Sequence, residues 1–154
     1  MAGGLITNAS AAFAFMRRFD NVLPLWGIQR ESELDEFLSF ESNPQLLKDE
    51  KIKAAIERDR AELTGNFCRG CGYCMPCPAG IPLNFATRMV DVLNRLPAEG
   101  YLTDEWNEKM SRIENCTECG QCKPKCPYNL EIPELVKKNL VGYRKIYEER
   151  CNSR

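Results

Sequence analysis

Cysteine is the residue type whose spacing in this sequence points most directly to chemistry. Nine cysteines occur among 154 residues, and eight of them fall into two short runs. The eight candidate metal ligands are Cys68, Cys71, Cys74 and Cys77 in the first run and Cys116, Cys119, Cys122 and Cys126 in the second. Thiolates are metal ligands, and three of them at every third residue can wrap one side of a compact cubane of four irons. The sequence therefore predicts two [4Fe-4S] clusters as cofactors, each needing a fourth thiolate from elsewhere.

The two runs have closely similar spacing and surroundings. The second has the Cys-x2-Cys-x2-Cys-x3-Cys-Pro spacing of bacterial ferredoxins, and the first has one residue fewer before its last cysteine. Gly70, Gly72 and Gly120 adjoin cysteines, where a missing Cβ lets backbone N–H groups turn toward cluster sulfurs. Each run is followed by a proline and by a helical pattern. The chain thus contains an internal repeat, in which each half is one cluster-binding turn and one packing helix.

Other chemistries compete with a cluster at these cysteines. Disulfides are disfavoured because no secretion signal precedes them. Structural zinc usually pairs two CxxC knuckles across about 15–20 residues, and the spacing of the two runs is unlike this. A zinc-stabilised interaction module without redox activity is therefore kept only as the third interpretation of the chain. Cys151 stands alone and is expected to be a bystander. Lys123 and Lys125 could soften a cluster's negative charge or meet an acidic partner, although a solvated surface is the simpler interpretation.

Composition excludes several functional classes. The chain has 21 basic and 22 acidic residues, so it lacks the basic footprint of a nucleic-acid binder. It has no histidine, which removes the commonest general base and every nucleophile arrangement that depends on one. The apolar stretch 9–16 is too short to span a membrane and is followed by Arg17 and Arg18. We expect a cytoplasmic chain without nucleic-acid or membrane partners.

Three segments differ in their hydrophobic pattern. Residues 1–42 alternate short apolar runs with helical patterns, which predicts strand–helix alternation with a strand at residues 22–26. Residues 43–65 form a charged connecting helix. Residues 66–150 contain the cysteines and three further helical patterns but no strand pattern. The apolar residues of these patterns lie in the ranges Phe85–Leu96, Trp106–Ile113 and Val136–Tyr147.

Residues 68–82 and 115–128 resemble the C-terminal iron–sulfur domain of ferredoxin-containing aldo/keto reductases. Residues 1–5 and 22–28 resemble the seventh and eighth barrel strands of that family, and residues 31–40 resemble its closing helix. The resemblance implies a mainly α fold: a helical two-cluster [4Fe-4S] ferredoxin-like domain preceded by a short β/α remnant of a (β/α)8 barrel. The family's catalytic residues would lie upstream of this chain, so no catalytic residue is carried over.

This resemblance implies an electron-transfer module that serves an oxidoreductase. Its expected partner is a redox protein or the missing barrel portion. The alternative is an independent electron-transfer subunit resembling the helical ferredoxin subunits of heterodisulfide or fumarate reductase complexes. Residues 1–42 would then be a docking surface.

The pairing of ligands follows the precedent of two-cluster ferredoxins, in which the fourth cysteine of a run serves the other cluster. One cluster is then expected to be held by Cys68, Cys71, Cys74 and Cys126, and the other by Cys116, Cys119, Cys122 and Cys77. Pro76 and Pro78 make it hard for Cys77 to fold back toward its own run. The Cα atoms of Cys74 and Cys77 are at most roughly 10 Å apart, which keeps the two clusters close.

Overall fold

The computed structural model describes Ile6 and residues 8–151, which form helices, turns and extended segments. The α-helices are α1 (Ala9–Met16), α2 (Glu31–Glu41), α3 (Glu50–Glu62), α4 (Leu83–Ala86), α5 (Met89–Arg95), α6 (Asp104–Ser111) and α7 (Ile132–Cys151). Short 3-10 turns occur at Leu46–Lys48, Glu99–Tyr101 and Arg112–Asn115. The described residues divide into two compact units, one spanning Ile6–Thr64 and the other beginning at Gly65. No helix in these ranges combines the length and apolar character needed to cross a membrane.

Helices α1 and α3 form the core of the first unit. The side-chain oxygen of Asn8 accepts the Ala11 N–H at 2.9 Å and caps α1, and Asp49 caps α3 in the same way. Small residues on α1 allow a close approach to the apolar face of α3. The buried residues of this core are Ala11, Ala14, Ile52, Ala55 and Ile56. Local capping and helical spacing thus explain both elements.

An extended segment, residues 22–28, packs on the aromatic side chains of α1 and α2. The Trp26 ring stacks on Phe37, with 4.3 Å between ring centroids, and on Phe13 at 5.4 Å. The neighbouring Leu23 and Leu25 point the other way and are 84% and 90% exposed. Residues 23–26 therefore keep the alternation of a strand, whereas Val22 and Ile28 at the ends of the segment are exposed.

The predicted strand at residues 22–26 is nevertheless wrong for the described residues, none of which forms a strand. A strand requires a neighbour to pair its backbone N–H and C=O groups, and alternation alone does not supply one. The strand expected from the resemblance at residues 1–5 lies outside the described residues. The described part of the chain is helical, as expected for the cysteine-containing portion.

Helix α7 organises the second unit by packing against α4, α5 and α6. Val136 and Tyr143 on α7, Met89 on α5 and Met110 on α6 are fully buried. The Tyr143 hydroxyl donates to the carbonyl of Tyr101 at 3.0 Å, so its polar end is satisfied inside the unit. The helical patterns at residues 106–113 and 136–147 are confirmed, and Thr103 caps α6 as its sequence position predicts.

The pattern at residues 85–96 forms two helices instead of one. Helix α4 ends at Ala86 and α5 begins at Met89, and the buried side chain of Asn139 on α7 fills the break. Its amide nitrogen donates to the Thr87 carbonyl at 2.9 Å, and its oxygen accepts the Val90 N–H at 2.9 Å. Asn139 thus satisfies backbone groups that the helix ends leave unpaired.

Candidate metal centre

The two cysteine runs share a backbone conformation as well as a spacing. Three pairs of equivalent residues have a positive φ: Gly70 (69°) and Glu118 (53°), Gly72 (80°) and Gly120 (76°), and Gly80 (67°) and Asn129 (52°). The left-handed region favours glycine because a Cβ clashes there. The glycines noted beside the cysteines adopt this conformation, whereas its occurrence at Glu118 and Asn129 shows only in the structure. The internal repeat is therefore a repeat of turns.

The same equivalence extends past the last cysteine of each run. The N–H of Gly80 donates to the Cys77 carbonyl at 3.0 Å, and the N–H of Asn129 donates to the Cys126 carbonyl at 3.2 Å. Helices α4 and α7 both begin six residues after that cysteine. Each run is thus anchored by a tight turn whose exit is fixed to a helix of the core.

The first group of thiols comes from both runs. One cavity is lined by Cys68, Cys71, Cys74 and Cys126, together with apolar residues of the core. Cys126 lies here although the run to which it belongs begins almost 50 residues after the start of the first run. The Gly70 N–H donates to the Cys68 sulfur at 3.4 Å, an example of the N–H···S contact that tunes a cluster.

The second group mirrors the first. A second cavity is lined by Cys77, Cys116, Cys119 and Cys122, and Cys74 also borders it. Cys74 therefore lies between the two cavities. Each cavity has four cysteines as its donor set, three from one run and the last cysteine of the other, and this arrangement fits a cubane with one thiolate per iron.

Burial divides the thiols within each group. Cys71 and Cys119, the middle cysteines of the two runs, are exposed, whereas Cys74 is buried. Burial raises the pKa of the Cys74 thiol to about 11, and the neighbouring Cys68, Cys126 and Cys71 thiolates add to the rise. Burial likewise raises the pKa of Cys122, with smaller effects from the thiolates of the second group. Both thiols are neutral near pH 7 in the metal-free chain, so metal binding must displace their protons.

The thiols are not gathered as they would be around one ion. Within the described ranges, no group of three or more cysteine or carboxylate side chains is placed to hold a single metal ion. A tetrahedral zinc ion with Zn–S bonds of about 2.3 Å would bring its sulfurs to about 3.8 Å from one another. A cubane separates its four thiolates further, because each is bound to a different iron.

The other residues considered from the sequence have simpler surroundings. Lys123 is exposed and forms an ion pair with Glu131, and Lys125 is exposed. The side chain of Cys151 lies outside the described part of the chain. Sequence reasoning missed Arg69, which lines the first cavity with its guanidinium 4.2 Å from the Tyr128 ring centroid. Only its position next to Cys68 could have drawn attention to it.

Comparison with known proteins agrees with this geometry over part of the chain. Neither the curated proteins nor the solved structures gave a match. A protein-family model described as a 4Fe-4S dicluster domain matches residues 67–131, a range that contains all eight cysteines of the two runs and both cavities' donor sets.

Proposed function

We propose that this chain is an electron-transfer module that holds two [4Fe-4S] clusters through crossed ligation. Cys126 completes the cluster of the first run, and Cys77 completes the cluster of the second. The observation that carries the proposal is the lining of the two cavities, each by three cysteines of one run and the last cysteine of the other. When bound, each cluster supplies a one-electron redox centre. The protein's residues bind it, limit its contact with water and tune its potential.

Several features of the chain support electron transfer over a purely structural role. Cys71 and Cys119 are exposed, one in each group, so each redox centre has an edge near the surface through which a partner can exchange electrons. Cys74 borders both cavities, which keeps the two centres close to one another. A cytoplasmic location accords with this proposal, because a reducing compartment keeps thiols available for metal binding.

We further propose that part of an oxidoreductase binds the exposed face of residues 22–28. This binding part is either a barrel portion of the aldo/keto reductase type or a redox partner protein. The support is the exposed row of Leu23 and Leu25 on an extended segment without a strand partner among the described residues. Exposed extended segments of this kind accept an added strand. Co-purification of a larger catalytic chain, lost in a Leu23→Ser/Leu25→Ser double variant, is the expected result. Unchanged co-purification would contradict this assignment of the segment.

The test of crossed ligation begins with cluster content. After anaerobic reconstitution, two cubanes give about eight iron and eight acid-labile sulfide per chain, because each cubane holds four of each. The absorption spectrum should be that of a brown iron–sulfur protein, whereas a zinc protein would be colourless. A colourless chain with bound zinc would support the interaction-module alternative.

The Cys126→Ala variant then separates crossed from self-contained sites. We expect it to damage the cluster held by Cys68, Cys71 and Cys74 while the cluster of its own run persists. Cys77→Ala should have the reciprocal effect, and Cys119→Ala, in the middle of the second run, serves as the comparison. Alkylation followed by mass spectrometry identifies the cysteines that no longer bind a cluster, and so shows which cluster has been lost. Release of Cys116, Cys119 and Cys122 by the Cys126→Ala change would overturn the crossing.

A further inference from the structure

The two cavities differ in the sign of the one charged side chain that lines each of them. Arg69 is the charged residue among those lining the first cavity, and Glu118 is the charged residue among those lining the second. No other Lys, Arg, Asp or Glu lines either cavity, although the uncharged polar residues differ: Thr87 in the first, and Thr117 and Gln121 in the second. The two sites share the same turns, so this difference in charge should give the two cavities different electrostatic potentials.

Arg69 is held in place at the first cavity by two contacts. Its guanidinium donates to the carbonyl of Phe67 at 3.0 Å and lies 4.2 Å from the Tyr128 ring centroid. It thereby joins the chain segment before Cys68 to the segment after Cys126. Within the described part of the chain Arg69 is half-buried and forms no ion pair, so its charge acts on the cavity without a neutralising carboxylate.

Arg88 lies against the turn of the first cysteine run, although it does not line the cavity itself. Its carbon and terminal nitrogen atoms lie 2.5–2.6 Å from the position that a Cβ would occupy at Gly70. Gly70 lies between Cys68 and Cys71, so this cation rests on the turn that holds the first group of thiols. A side chain at residue 70 would displace it.

The second cavity has a carboxylate at the position equivalent to Gly70. Glu118 is exposed and forms an ion pair with Lys137. This carboxylate raises the pKa of Lys137, and the Cys116 thiolate adds a smaller rise. The pair leaves the surroundings of the second cavity close to neutral. The first cavity, by contrast, keeps the full positive charge of Arg69.

We infer that the cluster site of Cys68, Cys71, Cys74 and Cys126 has the higher reduction potential and that of Cys116, Cys119, Cys122 and Cys77 the lower. The inference rests on the proposed function. Reduction adds one negative charge, so a neighbouring cation favours the reduced form. When the chain accepts a single electron from a donor, that electron is therefore held at the site of Cys68, Cys71, Cys74 and Cys126. Each transfer moves one electron from the second site to the first, with no bond formed or broken.

Burial acts in the opposite direction but is the smaller effect. Cys74 is more buried than its equivalent Cys122, and a less polar surrounding disfavours added charge. This difference concerns one of four thiols, and the middle cysteine of each group is exposed. A full charge at the cavity wall acts on the whole cluster.

The experiment is an anaerobic potentiometric titration of the reconstituted full chain with dithionite, in which electron paramagnetic resonance measures the amount of reduced cluster at each potential. The wild-type chain should show two one-electron waves. Arg69→Gln should lower the midpoint potential of the higher wave by about 59 mV, which corresponds to a tenfold change in the ratio of reduced to oxidised cluster at a fixed potential. The lower wave should stay in place. Arg69→Lys, which keeps the charge, should leave the higher wave close to its wild-type potential. Lys145→Gln, which removes an exposed charge on α7 that borders neither cavity, is the matched control and should move neither wave.

Variants at the second cavity test the same ordering from the other side. Glu118→Gln should raise the lower wave, and Lys137→Gln should lower it. The inference is overturned if Arg69→Gln moves the lower wave or neither wave, or if the two wild-type waves coincide. A chain that binds no iron and sulfide would overturn the proposed function together with the inference, whereas two clusters with the reverse order would overturn the inference alone.

Discussion

At the scale of single residues, the site depends on turns that only a few residue types tolerate. Cysteine spacing and the adjoining glycines could be recognised in the sequence because both are local. The left-handed conformations of Glu118 and Asn129 could not, because an acidic residue or asparagine adopts φ > 0 only where the rest of the turn demands it. The contact of Arg69 with Tyr128 was equally hidden, since it joins residues almost 60 positions apart.

Substitution of Asn129 tests the strain in the turn after Cys126. Because residue 129 has a φ of 52°, Asn129→Gly should be more stable than Asn129→Ala by about 1 kcal/mol. At Asn94, an exposed residue inside α5, the order should reverse, because glycine in a helix is less stable than alanine by about 0.5–1 kcal/mol. Thermal unfolding of the four cluster-loaded variants measures both differences. Alanine as the better residue at both positions would contradict the conformation assigned to the turn.

At the scale of elements, the sequence predicted helices well where the information was local. Helices α6 and α7 follow from apolar spacing together with a threonine cap or an early proline. The pattern at residues 85–96 predicted one helix and gave two, because Asn139 on a distant helix pairs the backbone groups at the break. The strand predicted at residues 22–26 failed for a related reason, since alternation is local but strand pairing is not.

Asn139 should therefore stabilise the junction of α4 and α5. Asn139→Ala leaves the buried Thr87 carbonyl and the partly buried Val90 N–H without this partner, which should cost about 2 kcal/mol, within the range for unsatisfied buried polar groups. Lys138→Ala, one residue earlier on the exposed face of α7, should change stability by less than about 0.5 kcal/mol. Chemical denaturation of the cluster-loaded proteins compares them. Equal stability of the two variants would show that the break forms without Asn139.

At the scale of the whole molecule, the two units depend on different sources of stability. The first unit has an apolar core formed by α1 and α3 and contains no cysteine. The second unit has an apolar core around α7, but its two long cysteine turns contain little regular structure. In such metal-binding domains the free energy of ligand binding contributes directly to folding.

Removal of the clusters by an anaerobic chelator should consequently unfold the second unit selectively. We expect most of the amide hydrogen-exchange protection in α7 to be lost, with a matching decrease in helical circular dichroism, while the protection of α1 and α3 is retained. Hydrogen exchange read by mass spectrometry distinguishes the two units within one sample. Full retention of protection in α7 after iron removal would mean that its apolar core folds without the metal.

The placement of Cys77 and Cys126 has a consequence for how the protein fails. Each of them lies among the thiols of the other run, so oxidative loss of one cluster withdraws a cysteine-bearing turn that also belongs to the surroundings of its neighbour. Damage at one centre is thus transmitted to the second through the polypeptide itself. In a population of this protein exposed to oxygen, the centre that survives in a half-loaded chain should therefore be lost faster than either centre of an intact chain, and repair of the first centre should also protect the second.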